Sequence, residues 1–204
     1  MEFKIMTDLL EAELPKNYTQ LNETLDAAEK ILDLAVNDSR TLFHTPVVSS
    51  FKNKIISSRV MVLREFSLKE RKMRFHTDYR APKIDQYSSS QSATVIGYDP
   101  KLKIQIKLQG EISVYHNNAI TKSAWDQSSA RSKKCYSVKG GSSKKIENPE
   151  NYDIKDFEAE EGYQNFAVLI FTFNVLEFLY LKSTGHRRAI HKWDNKLSST
   201  WLIP

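Results

Sequence analysis

The sequence predicts a mainly β chain: a barrel-like sheet of six or more antiparallel strands, led by two helices and carrying short helices besides. Three observations predict it. Up to residue 38, apolar residues recur three and four apart, the spacing of one helix face. From Leu42 onward they fall in short runs that alternate with period two. Turn signals such as Asp99-Pro100-Lys101 separate those runs. Helices first and many short strands after point to a barrel-like β layer with helical additions.

The elements follow in order. Phe3, Ile5, Met6, Leu9, Leu10 and Leu14 give a first helical stripe over 2–14, which Pro15 ends. Leu21, Leu25, Ala28, Ile31, Leu32 and Ala35 give a second over 19–37, with Thr19 or Asn17 placed to cap it and Asn37-Asp38-Ser39 to stop it. Residues 1–38 thus form a helical N-terminal segment. Strands are expected over Leu42–Ser50, where Pro46 argues for an edge or a bend, and over Ile55–Phe66. A charged hairpin leads to Lys72–Thr77, and a short helix over Ala81–Ser89 suits Pro82 in its first turn. Ala93–Tyr98 and Lys103–Tyr115 follow; in the latter, Ile104, Ile106 and Leu108 alternate with Gln105, Lys107 and Gln109. Residues 118–137 read as one helix or two short ones. Residues 138–161 are poor in apolar residues and rich in breakers, and read as a loop. Tyr163–Phe173, Val175–Lys182 and His186–Trp193 return to strand, and Trp201-Leu202-Ile203-Pro204 ends the chain as an apolar anchor. No internal repeat is present, and 1–204 reads as a single domain.

A chain of 204 residues can bury a core unaided. Its one cysteine, Cys135, excludes an internal disulfide framework and suits a reducing compartment. The first residues lack the order of a signal peptide, and no apolar run reaches membrane-spanning length. A cytoplasmic protein is the expectation. The net charge of +5 permits an anionic partner, nucleic acid or a phosphorylated small molecule, and equally a solvated basic face. There is no G-x-G-x-x-G, no G-K-[ST] loop and no G-x-S-x-G, and the five histidines have no zinc spacing, so no metal is expected. Phe166, Phe171, Phe173 and Phe178 lie in apolar strands and suit a barrel interior better than a stacking platform.

The chemistry gathers between residues 59 and 83. Arg59, Arg64, His76, Thr77, Arg80 and Lys83 stand on or beside two strands and a helix start. Guanidinium groups bind phosphate through charge-assisted, often bidentate bonds, and lysine adds a mobile point charge. Arg59 and Arg64, five apart, face opposite ways on a regular strand, so they grip one ligand only if it lies across the sheet. On spacing alone a phosphate grip and a solvated strand edge both remain open. Gln105 offers an amide suited to a ring edge, or to solvent. Gly185-His186-Arg187-Arg188 offers a second anion site, or a basic turn.

These residues, over roughly 40–193, resemble the flavin-binding split-barrel family that includes pyridoxamine 5'-phosphate oxidase. The family pattern R-x-V-x-L-K is met by Arg59-Val60-Met61-Val62-Leu63-Arg64, and its aromatic-or-His-Thr pair by His76-Thr77. Arg80-Ala81-Pro82-Lys83 meets its R-x-x-K, and Gln105–Gly110 its Q-V-R-x-x-G. The C-terminal stretch is similar to a broad branch of related proteins. The resemblance implies an FMN-binding split β-barrel and a homodimer with FMN at the subunit interface. Phosphate would be held by Arg80 or Lys83 with help from Thr77, and His76 is a further cofactor-binding candidate. Arg59, Val60, Val62 and Arg64 would line the ring and ribityl chain. Gln105 would reach the ring, and Arg187 or Arg188 would come from the partner. For a substrate, Arg64, Trp125, Arg131, Ser132 and His186 are the candidates. No catalytic residue is assigned.

This sequence departs from the oxidase in three places. Arg64 stands where the oxidase has lysine, Leu179 follows Glu177-Phe178 where it has tryptophan, and no R-x-H follows that stretch. The expected function is an FMN-dependent oxidoreductase related to the pyridoxamine/pyridoxine 5'-phosphate oxidases, acting on a small molecule that B6 phosphates exemplify. A flavin carrier or sensor without turnover is the alternative, and a basic nucleic-acid-binding β module the third. The expected partners are a second copy and a small molecule, with neither nucleic acid nor membrane.

Overall fold

A computed structural model describes residues 10–154 and 159–204. Most of the helix expected over 2–14 lies outside the described residues; 10–13 are helical, and Leu10 and Leu14 are buried. Helix α1 (Leu21–Asn37) buries Thr24, Ala27, Ala28, Ile31, Leu32 and Ala35 along one face. Its start is secured by Glu23 rather than by Asn17 or the Thr19 side chain. The Glu23 carboxylate accepts from the backbone N–H of Thr19 at 2.8 Å and of Gln20 at 2.9 Å.

Nine strands form one antiparallel sheet: β1 (Val47–Lys52), β2 (Ile55–Val60), β3 (Leu63–Ser67), β4 (Lys72–Asp78), β5 (Ser92–Asp99), β6 (Ile104–His116), β7 (Phe166–Tyr180), β8 (Arg187–Trp193) and β9 (Leu197–Leu202). The main path runs β2-β1-β5-β6-β7-β4-β3, with β8 on β7 and β9 on β8. Helix α2 (Lys83–Ser89) follows β4, and the short α3 (Ala119–Asp126) and α4 (Ala130–Lys134) follow β6. The main core lies between α1 and the inner face of the sheet, around Leu63, Phe75, Ile106, Phe171 and Phe178. A second cluster of Ala124, Trp125, Phe166 and Val168 packs where α3 covers the start of β7. All four phenylalanines expected in the interior are fully buried.

Five expectations are corrected. The strand expected over Leu42–Ser50 starts at Val47, because Leu42–His44 forms a 3-10 turn capped by Thr41, which accepts from the Phe43 N–H at 3.1 Å. Nor is β1 an edge: it pairs with both β2 and β5, and Pro46 sits just before it. The strand expected over Ile55–Phe66 is two. Met61 is buried and donates its N–H to the Pro46 carbonyl at 3.1 Å, which turns the chain so that β2 joins β1 while β3 joins β4. Conversely, the two strands expected on either side of Asn174 are one strand of fifteen residues. Pairing with β6 steps from Gln109↔Val175 to Gly110↔Phe173, which makes Asn174 the extra residue of a bulge in β7; opposite it, a Cβ on Gly110 would come within 2.1 Å of the Thr172 carbonyl oxygen. Finally, Trp201-Leu202-Ile203-Pro204 is no anchor within the chain. It ends the added edge strand β9, whose backbone pairs with β8 while Trp201 and Ile203 stay exposed.

His191 ties these outer strands to α1. It is fully buried, with Nε2 2.9 Å from Thr24 Oγ1 and Nδ1 2.8 Å from Ser199 Oγ. Burial pushes its pKa down from 6.5 to about 4. The folded protein therefore binds fewer protons here than the unfolded chain does, so this contribution to stability is full above pH 6.5 and is lost as pH falls toward 4. The loss amounts to up to about 3 kcal/mol. In urea titrations at pH 7 and pH 4.5, His191→Gln is expected to narrow the gap between the two midpoints. An unchanged gap would exclude this account.

Candidate functional site

On the inner face of the sheet, β2 sets Arg59 directly opposite Val48 of β1, facing α2. Its guanidinium is held by neutral oxygens alone. One terminal nitrogen donates to Ser50 Oγ at 2.8 Å, the Val48 carbonyl at 3.3 Å and the Tyr87 hydroxyl at 3.5 Å. The other donates to Gln86 Oε1 at 2.7 Å and Ser57 Oγ at 2.8 Å. Beside it, Lys83 Nζ donates to Thr77 Oγ1 at 3.1 Å. Burial, and next the Arg59 charge, push the Lys83 amine below its ordinary range, with Asp78 pulling the other way. Two half-buried cations thus share one spot, and the nearest carboxylate is engaged elsewhere. Asp78 binds Arg80 through its backbone N–H at 2.8 Å, Nε at 3.0 Å and a terminal nitrogen at 2.7 Å.

A cavity of about 310 Å³ opens onto Lys83, lined by Thr77, Asp78, Tyr136, Val138 and Gly141 among others. Gly141, at φ +79°, lies so close to Arg80 that a Cβ would come within 2.8 Å of the Arg80 Cβ. A larger cavity of about 720 Å³ lies between the β1–β2 hairpin and the bulge at Asn174. It touches the Arg59 set only through Ser50, and its charged groups are one arginine, Arg71, and one glutamate, Glu111. The smaller cavity also has one charge of each sign, Lys83 and Asp78, but its carboxylate is engaged by Arg80 and its lysine adjoins Arg59.

Arg64 occupies the other face. Pairing between β3 and β4 steps from Leu63↔Phe75 to Glu65↔Arg74, which makes Arg64 the extra residue of a bulge on the edge strand. Its Nε is buried without a hydrogen-bond partner, as is His76 Nε2. Burial, then the charges of Arg74 and Arg64, push the His76 pKa down to about 3, so its ring is neutral at ordinary pH. Its edge meets Phe166, with centroids 4.9 Å apart. Burial raises the Tyr136 phenol while Arg64 opposes the shift, placing Tyr136 between this subsite and the small cavity.

The remaining sequence-predicted residues lie elsewhere. Gln105 is half-buried on the outer face, opposite in sense to Ile104 and Ile106. Arg188 shares that face and is neutralised by Glu177, with contacts of 3.0 and 2.8 Å, while Lys107 takes the other oxygen of Glu177 at 2.8 Å. The Arg187 guanidinium folds back onto the carbonyls of Gly185 and His186, whose Nδ1 accepts the Lys182 N–H. Val60 is exposed and Val62 sits in the bend between β2 and β3. Trp125 is fully buried in the second cluster. Arg131 is exposed, and the Ser132 N–H and hydroxyl meet Ser129 Oγ. Among the described residues no group of His, Cys, Asp and Glu could hold a metal ion.

Residues 27–116 match the family model described as pyridoxamine 5'-phosphate oxidase, FMN-binding domain. No curated protein matches the chain. Among solved structures, a pyridoxamine 5'-phosphate oxidase-related, FMN binding protein from Nostoc punctiforme is similar with a TM-score of 0.73 and 17% identity, over 92% of this chain and 100% of that one. PhzG from Burkholderia lata, solved with tetrahydrophenazine-1-carboxylic acid, is similar with a TM-score of 0.70 and 17% identity, over 95% of this chain and 96% of that one. By fold, this chain is an open, split antiparallel β-barrel with the architecture of these two proteins.

The split barrel brings Arg59, Thr77 and Lys83 together on one face and Arg64 and His76 on the other, with Tyr136 between the two. It leaves Gln105 and Arg188 apart from both. Sequence reasoning missed Ser50, Ser57, Gln86, Tyr87 and Tyr136. Gln86 and Tyr87 were within reach of it, since they follow Lys83 by three and four residues on one helix. The groups present fit a phosphate: two cations pressed together with neutral partners lose mutual repulsion when a dianion sits between them. Lys83→Ala is expected to weaken FMN about tenfold or more and to leave riboflavin, which lacks the phosphate, nearly unaffected. Arg80→Ala is expected to cost less, since Arg80 is already neutralised. Equal losses for both flavins, by titration of intrinsic flavin fluorescence, would overturn the phosphate assignment.

Proposed function

We propose that this chain binds FMN and acts as an FMN-dependent oxidoreductase of the pyridoxamine 5'-phosphate oxidase-related type. The observation that carries the reading is the Arg59–Lys83 pair, two adjoining cations held by neutral oxygens beside a cavity. Lys83 and Thr77 hold the phosphate, Arg59 supports it from behind, and Arg80 neutralises Asp78 at the cavity wall. Val60, Val62 and Arg64 border the ribityl chain and ring, and His76 stays neutral beneath them. Bound FMN supplies the redox chemistry; the chain orients it and admits the second reactant. On the substrate side stands Arg64, whose buried Nε has no hydrogen-bond partner, Trp125 backs Tyr136, and Arg131, Ser132 and His186 stand further out. The substrate is a small molecule, with B6 phosphates as the candidate class.

Gln105, Arg187 and Arg188 serve the site of a second copy in this reading, because Gln105 and Arg188 face away from Lys83 in their own chain. The β1–β2 hairpin supports a homodimer: Phe51, Ile55, Ile56 and Val60 are all exposed there. The protein is read as cytoplasmic. Among the described residues no helix is long and apolar enough to cross a membrane.

A flavin carrier or sensor is the second reading, favoured by the Glu177 carboxylate that already neutralises Arg188 and by Leu179 in place of tryptophan. Purified protein is expected to show the two visible absorption bands of oxidised flavin, or to gain them with added FMN. A protein that stays colourless excludes both flavin readings. Oxygen consumption with pyridoxamine 5'-phosphate separates oxidase from carrier. Sedimentation at micromolar concentration is expected to give a dimer, and a monomer would contradict the shared site.

A further inference from the structure

We infer that the basic segment around the smaller cavity is an electrostatic entrance, which sets how fast the anionic end of the ligand is captured rather than how tightly it is held. This rests on the phosphate reading of Lys83. The segment interleaves two kinds of residue. Cys135, Tyr136, Val138, Gly141 and Ser142 line the cavity, while Arg131, Lys133, Lys134, Lys139, Lys144 and Lys145 stand between and around them. Five of these six cations are exposed; Lys133 is half-buried, its Nζ 5.4 Å from the centre of the Trp125 ring. Among the described residues none of the six pairs with a carboxylate, although Glu147, Glu150 and Asp153 follow closely in the chain. Over 131–153, six cations stand against three acids, Glu147, Glu150 and Asp153, so the segment that lines the opening carries a net positive charge, in a chain whose whole excess is +5.

The charge continues inward. Lys83 lines the cavity, with Arg59 next to it. Gly140 and Gly141, at φ +84° and +79°, let the segment lie flat against Arg80 at the cavity wall. Exposed charges bind weakly, at about 1 kcal/mol per pair at 4 Å in water, and salt screens them over about 8 Å at physiological strength. Six such cations therefore add little to a bound state sealed by Lys83 and Thr77. Their summed field biases diffusion, and fields of this kind raise association rates by about 10- to 1,000-fold.

The test is stopped-flow mixing of the flavin-free full chain with FMN, comparing wild type with K139E/K144E/K145E, three exposed loop positions, and with the neutral K139Q/K144Q/K145Q. At low salt the charge-reversed variant is expected to associate about tenfold more slowly or worse, the neutral variant to fall between, and dissociation to stay within about twofold. At about 0.5 M salt the three proteins should converge. Tight FMN binding with equal association rates overturns the entrance and leaves the cofactor reading standing; it is also the result expected if the patch docks an acidic macromolecule. Slower association matched by faster dissociation overturns it too, because the lysines would then be contacts. A wild type that takes up no FMN overturns both readings.

Discussion

The fold depends on β7, a strand with apolar partners on both of its faces. Along one edge it pairs with β6 for almost its whole length; along the other it pairs first with β4 and then with β8. Leu169, Phe171 and Phe173 point into the main core, while Phe166 and Val168 point into the cluster under α3. A strand buried on both faces must be apolar without interruption, and Phe166–Phe171 is. Through β4 this strand positions Thr77 and His76, and through β6 and β8 it positions Gln105 and Arg188. Its one carboxylate, Glu177, is buried at 5% exposure and is tolerated because Lys107 and Arg188 close on it from the neighbouring strands.

Charge separates into two populations. Arg80 is settled by Asp78, Arg40 by Asp38, and Lys107 and Arg188 by Glu177. Arg59, Lys83 and Arg64 are not settled by acids. They are fixed in place by serine, threonine and glutamine oxygens or, at Arg64, by a bulge. Neutral partners orient a cation without cancelling its field, which leaves that field for whatever anion arrives. The family-like motif in the sequence contains members of both populations, and only the three-dimensional partners tell them apart.

That division explains what the sequence could disclose. Alternation and helical spacing disclosed α1, β4, β5, β6 and β8 nearly at their observed limits, because each depends on its own residues. The break between β2 and β3 was hidden: it depends on Met61 bonding to Pro46, fifteen positions away. The continuity of β7 through Asn174 was hidden for the converse reason: Asn174 does break the pairing, as a bulge, and the strand resumes beyond it because β6 pairs on both sides. At the site, Arg59, Thr77 and Lys83 were legible by residue type and order. Ser50 and Gln86 were not, because an uncharged hydrogen-bond acceptor leaves no periodic mark. The settled state of Arg80 turns on a side-chain geometry that Asp78-Tyr79-Arg80 permits without requiring.

The β4–β7 pairing also bears on how the protein is made. Lys72–Asp78 finds its partner at Phe166–Thr172, across a loop of about ninety residues whose closure is entropically costly. At ribosomal rates of about 5 to 20 residues per second, β4 waits roughly 5 to 20 seconds for β7 to be synthesised. Through that interval Phe75, Met73 and the β3–β4 hairpin lack the surface that later buries them. The nascent chain is most open to chaperones and to misassembly there, and the last third of the sequence decides when that exposure ends.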